Sequence, residues 1–384
     1  MEDRLASRPF VLASLANFAQ ALSFNLFLHF PGYLQELGAD EPTIGWIQGA
    51  GFVAAVAIRP FLARVLDRRG RRGVILAGQA TNALACALYL TVHELGPWVF
   101  TVRIVHGFAE AMLFTALFTY AADHVPPSRR NQGLALFGAS SMFPIALGGV
   151  VGDLVLAGGS YRALFRLSLV LAGVALLLSL PLRDRPRFAD GAPASRGLRA
   201  ALWQPDLLPL WFMTLVFSSG LTAFFVFLKT FVLETGIGSV GLFFSAYTGA
   251  ALAVRIFAGW LPDRLGPRAV LHPALASFVA GFFLLAAAKG GTEVVLAGLA
   301  CGIGHGYTFP ILFSLVVTRA REEERGSAMA IFTALFDVGG LLGSPSLGAL
   351  IGRAGYAATF AATGVLVALG AIVFARLDRG NRVG

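Results

Sequence analysis

The residues of this chain best suited to chemistry are ionisable groups set inside long apolar stretches. Arg103, His106, Gly107 and Glu110 recur at i, i+3, i+4 and i+7, one face of a helix. At 1.5 Å per residue, Arg103 and Glu110 stand about 10 Å apart along the axis. A direct bond between them needs long rotamers, whereas a shared substrate or water does not. Asn25 and His29 stack one turn apart in an earlier stretch, and Lys229, His305 and Asp337 stand singly in later ones. At the centre of a membrane helix such groups cost about 2.5–3.5 kcal/mol on insertion scales, so they face a cavity or a partner. A carboxyl balanced between a low-dielectric surround and a nearby arginine gains or loses a proton on small conformational change. Glu110 beside Arg103 fits that description, with Asp337 as a second carboxyl.

Other chemistries lack their residues. Neither lysine, Lys229 nor Lys289, has the glycine spacing of a nucleotide-binding loop, and neither H-E-x-x-H nor G-x-S-x-G occurs. Cys86 and Cys301 lie in apolar runs without a partner at ligand spacing and read as small apolar residues. No enzyme activity, metal or cofactor is expected.

The elements that position these groups are membrane spans. Apolar residues make up 57% of 384 and charged residues 13%, with mean hydropathy +0.73. A soluble chain carries about 25% charged residues. Twelve stretches of about 20 residues can each cross a bilayer. They are 10–34, 43–66, 74–92, 97–122, 133–156, 163–182, 207–233, 239–261, 269–288, 294–317, 327–350 and 356–375. The N-terminus has no small-residue cleavage site before its apolar run, so it reads as the first span, uncleaved.

The +9 net charge falls in short arginine clusters between spans, not in a basic stripe with aromatics, which argues against nucleic acid. One side carries 22 basic residues, including Arg64, Arg68, Arg69, Arg71, Arg72, Arg129, Arg130, Arg264 and Arg268; the other carries only Arg162, Lys289 and Arg353. Under the positive-inside rule both termini are cytoplasmic. Twenty-eight arginines against two lysines, with abundant Ala, Gly and Leu, suggest a GC-rich bacterial genome and hence a bacterial inner membrane.

Residues 183–206, rich in Pro, Gly and charge, separate an N-terminal half, 1–182, from a C-terminal half, 207–384. The halves repeat. At an offset of about 196, Gly45 matches Gly241, Arg59 matches Arg255, Asp67 matches Asp263 and Gly70 matches Gly266. His106-Gly107-Phe108 is echoed by His305-Gly306-Tyr307. Repeats of this kind build transporters from two bundles.

The loop Asp67-Arg68-Arg69-Gly70-Arg71-Arg72 resembles the GxxxDRxGRR signature of the major facilitator superfamily, with Ala63 where that motif usually has Gly. Gly259 through Gly266, with Asp263 and Arg264, resembles the matching loop of the second half. Arg103-Ile104-Val105-His106-Gly107 resembles the family's RxxxG motif. The stretch from Gly138 to Gly152, with Pro144, Gly148 and Gly149, loosely resembles its antiporter motif. The resemblance spans the chain and implies an all-α membrane protein of twelve helices in two pseudo-symmetric six-helix bundles, working as a monomer. It implies that Asp67 meets the N-terminal end of helix 11 and closes the cytoplasmic side. It also implies that helices 1, 4, 7 and 10 line the cavity, which places His29, Arg103, Glu110, Lys229 and His305 on lining helices. Asp337, on helix 11, is the exception.

The expected function is secondary transport by alternating access: proton-coupled efflux of a drug or metabolite. Proton-coupled uptake of a small anionic or zwitterionic nutrient is the alternative, favoured by Arg103 and Lys229. A non-transporting membrane sensor is the reading from another class. For Lys229 the competing expectation is snorkelling to the interface; for Arg59 and Arg255, a gating or topogenic role; for Asp123, solvation.

Overall fold

The computed structural model describes residues 7–184 and 197–378, apart from the side chains of 60, 63, 64, 67–69, 127 and 131. Every regular element among the described residues is helical. The chain clusters into two compact units, Met1–Ala39 with Ala50–Arg187 and Asp40–Gly49 with Phe188–Gly384.

The first unit opens with α1 (Arg8–Asn25), a 3₁₀ turn at Leu26–His29, and α2 (Phe30–Glu36). Pro31 explains the break in this span. It has no N–H to offer the Phe27 carbonyl, and its ring crowds that oxygen. The chain tightens instead, and the Phe30 N–H donates to Phe27. Next come α3 (Glu41–Arg69), which lies in this unit from Ala50 on, α4 (Arg72–Tyr89), α5 (Pro97–His124), α6 (Arg130–Gly158) and α7 (Tyr161–Ser179).

The second unit takes the first turns of α3, then α8 (Leu198–Leu202), α9 (Leu208–Thr235), α10 (Val240–Phe257), α11 (Leu261–Leu265), α12 (Pro267–Ala286), α13 (Gly291–Arg319) and α14 (Arg325–Leu377). Asp40 starts α3: its carboxylate accepts from the Thr43 N–H at 2.9 Å. Hydrogen bonds from the Thr43 side chain and backbone hold this carboxyl below its ordinary range. Within α14, Gly355 adopts φ 78°, ψ 174°, which divides the helix in two.

With α1–α2 read as one run and α14 as two, each of the twelve expected spans has a helix among the described residues. Among the described residues, nine helical runs are long and apolar enough to cross a membrane, one of them holding both parts of α14. Helix α4 falls short by that measure, because Gln79, Thr81 and Asn82 dilute its 18 residues.

The repeat is visible in packing. In the first unit a Cβ on Gly107 of α5 would overlap the Gly51 carbonyl of α3; in the second, a Cβ on Gly302 of α13 would overlap the Tyr247 carbonyl of α10. Gly51 and Tyr247 are 196 apart, so the counterpart of Gly107 in the repeat is Gly302. The His-Gly-aromatic echo, which pairs Gly107 with Gly306, is therefore out of step with the helix contacts. A second pair keeps step. Arg72 donates to the Leu182 carbonyl at 2.6 Å, and Arg268 to the Asp378 carbonyl at 2.7 Å, each tying the end of its unit's last helix.

Candidate functional site

Arg103 and His106 are brought together on α5. Arg103 is 8% exposed, and its side chain runs beside Gly51 of α3, where a Cβ would stand 3.1 Å from Nε. Its Nη1 lies 3.5 Å from His106 Nδ1, and the Tyr89 hydroxyl of α4 lies 3.3 Å from the same nitrogen. A guanidinium only donates, so Nδ1 accepts and Nε2 carries the imidazole hydrogen. The rings of Phe24, Phe27 and Tyr89 pack about His106, at centroid distances of 5.0, 4.6 and 5.5 Å. The result is a buried cation set against a neutral, aromatic-walled imidazole. Glu110 lies two turns along the same helix and is half-buried.

The other expected residues divide. His29 is fully buried in the 3₁₀ turn, with Nε2 3.1 Å from the Gly149 carbonyl of α6. Asn25 turns back on its own helix, donating to the Ala21 carbonyl at 2.7 Å. Lys229 of α9 is 8% exposed, so burial replaces the snorkelling alternative. His305 of α13 meets the Tyr247 hydroxyl of α10, and Arg255 donates to the Gly306 carbonyl at 3.2 Å. Asp337 is half-buried on α14. Asp123, expected to be solvated, is partly exposed and pairs with Arg71 at 2.9 Å.

The expected gate loops have glycine turns. Gly70 has φ 84° and Gly266 φ 89°, conformations that only glycine adopts without strain. Asp184 accepts from the backbone N–H of Arg71 and Arg72 at 2.8 and 2.9 Å, capping α4. Asp263 and Arg264 are exposed, and the Arg264 guanidinium lies 5.7 Å from the Trp260 ring. The Asp67 and Arg68 side chains lie outside the described residues.

Several participants were missed in the sequence. Tyr89 and Tyr247 count as apolar in any hydropathy reading. Glu41 falls two residues before the expected start of its span, yet it is 8% exposed and accepts from the hydroxyls of Tyr356 at 2.5 Å and Thr230 at 3.2 Å. Asp153 carried the same signal as Glu110, a carboxylate inside an apolar run.

A sequence profile for the Major Facilitator Superfamily matches residues 10–239 and again 210–383. This chain belongs to the major facilitator superfamily. The staphylopine export protein of Staphylococcus aureus is 23% identical over 378 residues, covering 93% of this chain and 92% of that protein. The probable nitrate/nitrite transporter NarK2 of Mycobacterium tuberculosis is 26% identical over 351 residues, 86% and 85% of the two chains. The crystal structure of the nucleoside transporter NupG superposes with a TM-score of 0.77 at 14% identity, covering 97% of this chain and 99% of that one. As a member of this superfamily the protein is a multi-pass membrane transport protein and not an enzyme.

Proposed function

We propose that this superfamily member is a secondary active transporter that works by alternating access and exchanges protons for a small molecule leaving a bacterial cell. The observation that carries the reading is the buried cation Arg103, held on His106 with Glu110 on the same helix face. A charge placed there is expensive unless it serves a ligand or a proton. Arg103, His106 and Glu110 in the first unit, with Lys229, His305 and Asp337 in the second, are the substrate- and proton-handling groups. His29 joins them as a proton site. The halves 1–182 and 207–384, joined by 183–206, are the moving parts, and Asp67, Arg68, Gly70 and Arg71 with Asp263, Arg264 and Gly266 form their cytoplasmic gate loops. The chain works as a monomer in the inner membrane with both termini cytoplasmic.

Export is supported by the staphylococcal relative, which is an export protein. Buried Arg103 and Lys229 favour an anionic or zwitterionic cargo, which keeps proton-coupled uptake as the second reading; the nitrate/nitrite relative points the same way.

The test is a thermal-stability screen of the purified protein in detergent against metabolites, drugs and metal chelators, at mildly acidic and mildly alkaline pH. A ligand at about 100 times its dissociation constant stabilises by about 2.7 kcal/mol. The expected hit is an acidic or zwitterionic compound that weakens at acidic pH in wild type but not in Glu110→Gln. Strict selection of lipophilic cations would contradict the site.

A further inference from the structure

In the first unit both halves of an acid–base pair meet outside the Arg103 cluster. The His29 ring faces α6, with Nε2 3.1 Å from the Gly149 carbonyl and Nδ1 3.8 Å from Asp153 Oδ1. Gly152 makes the room, since a Cβ there would overlap the ring. A carbonyl only accepts, so Nε2 carries a hydrogen. That leaves Nδ1 as the nitrogen that gains or loses a proton, and it faces a carboxylate. With no proton on either group, a lone pair opposes a negative oxygen. One proton, on Nδ1 or on Asp153, converts that repulsion into attraction. The 3.8 Å gap is the length a slight side-chain rotation closes or a water bridges.

The exposure of the pair is graded. The His29 side chain is 0% exposed and that of Asp153 26%, so the carboxylate is the entrance and the imidazole the inner station. Tyr161 of α7 is the ionisable neighbour that Asp153 meets on the cleft side, and Tyr161 in turn meets Glu36 of α2, beside Tyr33 and Arg162; Asn25 of α1, which does not titrate, lies one turn before His29. Tyr161 lies within electrostatic reach of both Asp153 and Glu36. Together with Tyr33, His93 and Arg162, Tyr161 and Glu36 line a cleft of about 270 Å³ where α2 and α7 meet the connecting loops.

We propose that His29 and Asp153 form a proton-binding site that exchanges with this cleft through Tyr161 and Glu36. In the forward step the Asp153 carboxyl gives its proton to Nδ1, and a neutral pair becomes an imidazolium–carboxylate pair. Release reverses the step, and no other reactant is needed. The site rests on the proton-coupled reading for its purpose, but proton binding itself is measurable with no substrate present.

The test uses the full chain in lipid bilayers with nitrogen-15-labelled histidine. Of the six histidines, His29 is assigned as the signal missing from His29→Gln. The expected result is a wild-type Nδ1 that takes up a proton at a pH where Asp153→Asn leaves it neutral, a difference of about tenfold or more in proton affinity. Asp153→Glu restores the wild-type behaviour. An identical titration in wild type and Asp153→Asn overturns the proposal. So does a wild-type Nδ1 that shows a lone pair without a hydrogen-bond partner across the pH range, a readout that needs no variant to fold. Either failure leaves the transport reading to its own ligand screen, and a failed screen leaves this titration intact.

Discussion

Arg103 brings to His106 a property that a lysine does not share, a planar guanidinium fork. Arg103→Ala removes the cation and is expected to abolish stabilisation by any acidic hit from the ligand screen. Arg103→Lys keeps the charge without the fork and is expected to weaken binding rather than abolish it. Equal stabilisation of wild type and Arg103→Ala by the same hit would place the ligand elsewhere. Arg103, His106 and His29 were legible because an ionisable residue in an apolar run stands out on its own. Their partners were not. The Gly149 carbonyl leaves no mark in a sequence, and Tyr89 looks apolar until its hydroxyl is placed. Asn25 shows the converse: a polar residue in a span whose amide donates to its own helix, at the Ala21 carbonyl.

At the scale of elements, glycine decides where helices turn and touch. Gly70 and Gly266 hold equivalent positive-φ turns, but only Gly70 has a neighbour in the way: a Cβ there would overlap the Asp184 carboxylate, whereas Gly266 faces open space. Gly266→Ala is expected to lose about 1–3 kcal/mol, the cost of holding a side chain at φ 89°, ψ 144°, a positive-φ conformation glycine alone adopts readily. Gly70→Ala should lose more and disturb the Asp184 cap on α4; thermal unfolding of the two variants side by side reads the difference. A smaller loss at Gly70 would contradict that contact. In the second unit Asp378 is held by Arg268 at 2.6 Å and Arg319 at 2.5 Å with 3% of its side chain exposed. Asp378 is buried and Arg319 largely so, while Arg268 is half-buried, so Asp378→Ala strands one largely buried cation and is expected to unfold below wild type, and an unchanged melting temperature would count against the clamp. The turns were readable because Gly–Arg spacing marks them. The clamp was not, because it joins residues 110 and 59 apart in sequence. The His-Gly echo misled for a related reason: identical letters one helical turn out of step put His305 on a different contact from His106.

For the whole molecule, the helices and the family were legible because a bilayer imposes length and hydropathy on every span. The span now held by α4 was the hardest of these to read, since Gln79, Thr81 and Asn82 weaken its own hydropathy. Orientation follows from charge alone and is open to a direct check. Cysteines placed at Lys289 and at Arg129, in a background lacking Cys86 and Cys301, should divide in intact cells. The first is expected to react with a membrane-impermeant thiol reagent, the second only after permeabilisation; the reverse pattern would invert the topology. Substrate identity was not readable, because specificity depends on how side chains from several helices converge, and sequence spacing fixes only those on one helix.

Coupling is the centre of the account, and purified protein in proteoliposomes under an imposed pH gradient reads it without ambiguity from other carriers. With the compound found in the ligand screen, wild type is expected to move it against its own gradient as protons run down theirs. Glu110→Gln and Asp337→Asn are expected to impair that accumulation. Full gradient-driven transport in both variants would contradict the roles assigned to these carboxyls, and transport in wild type that ignores the pH gradient would contradict proton coupling altogether.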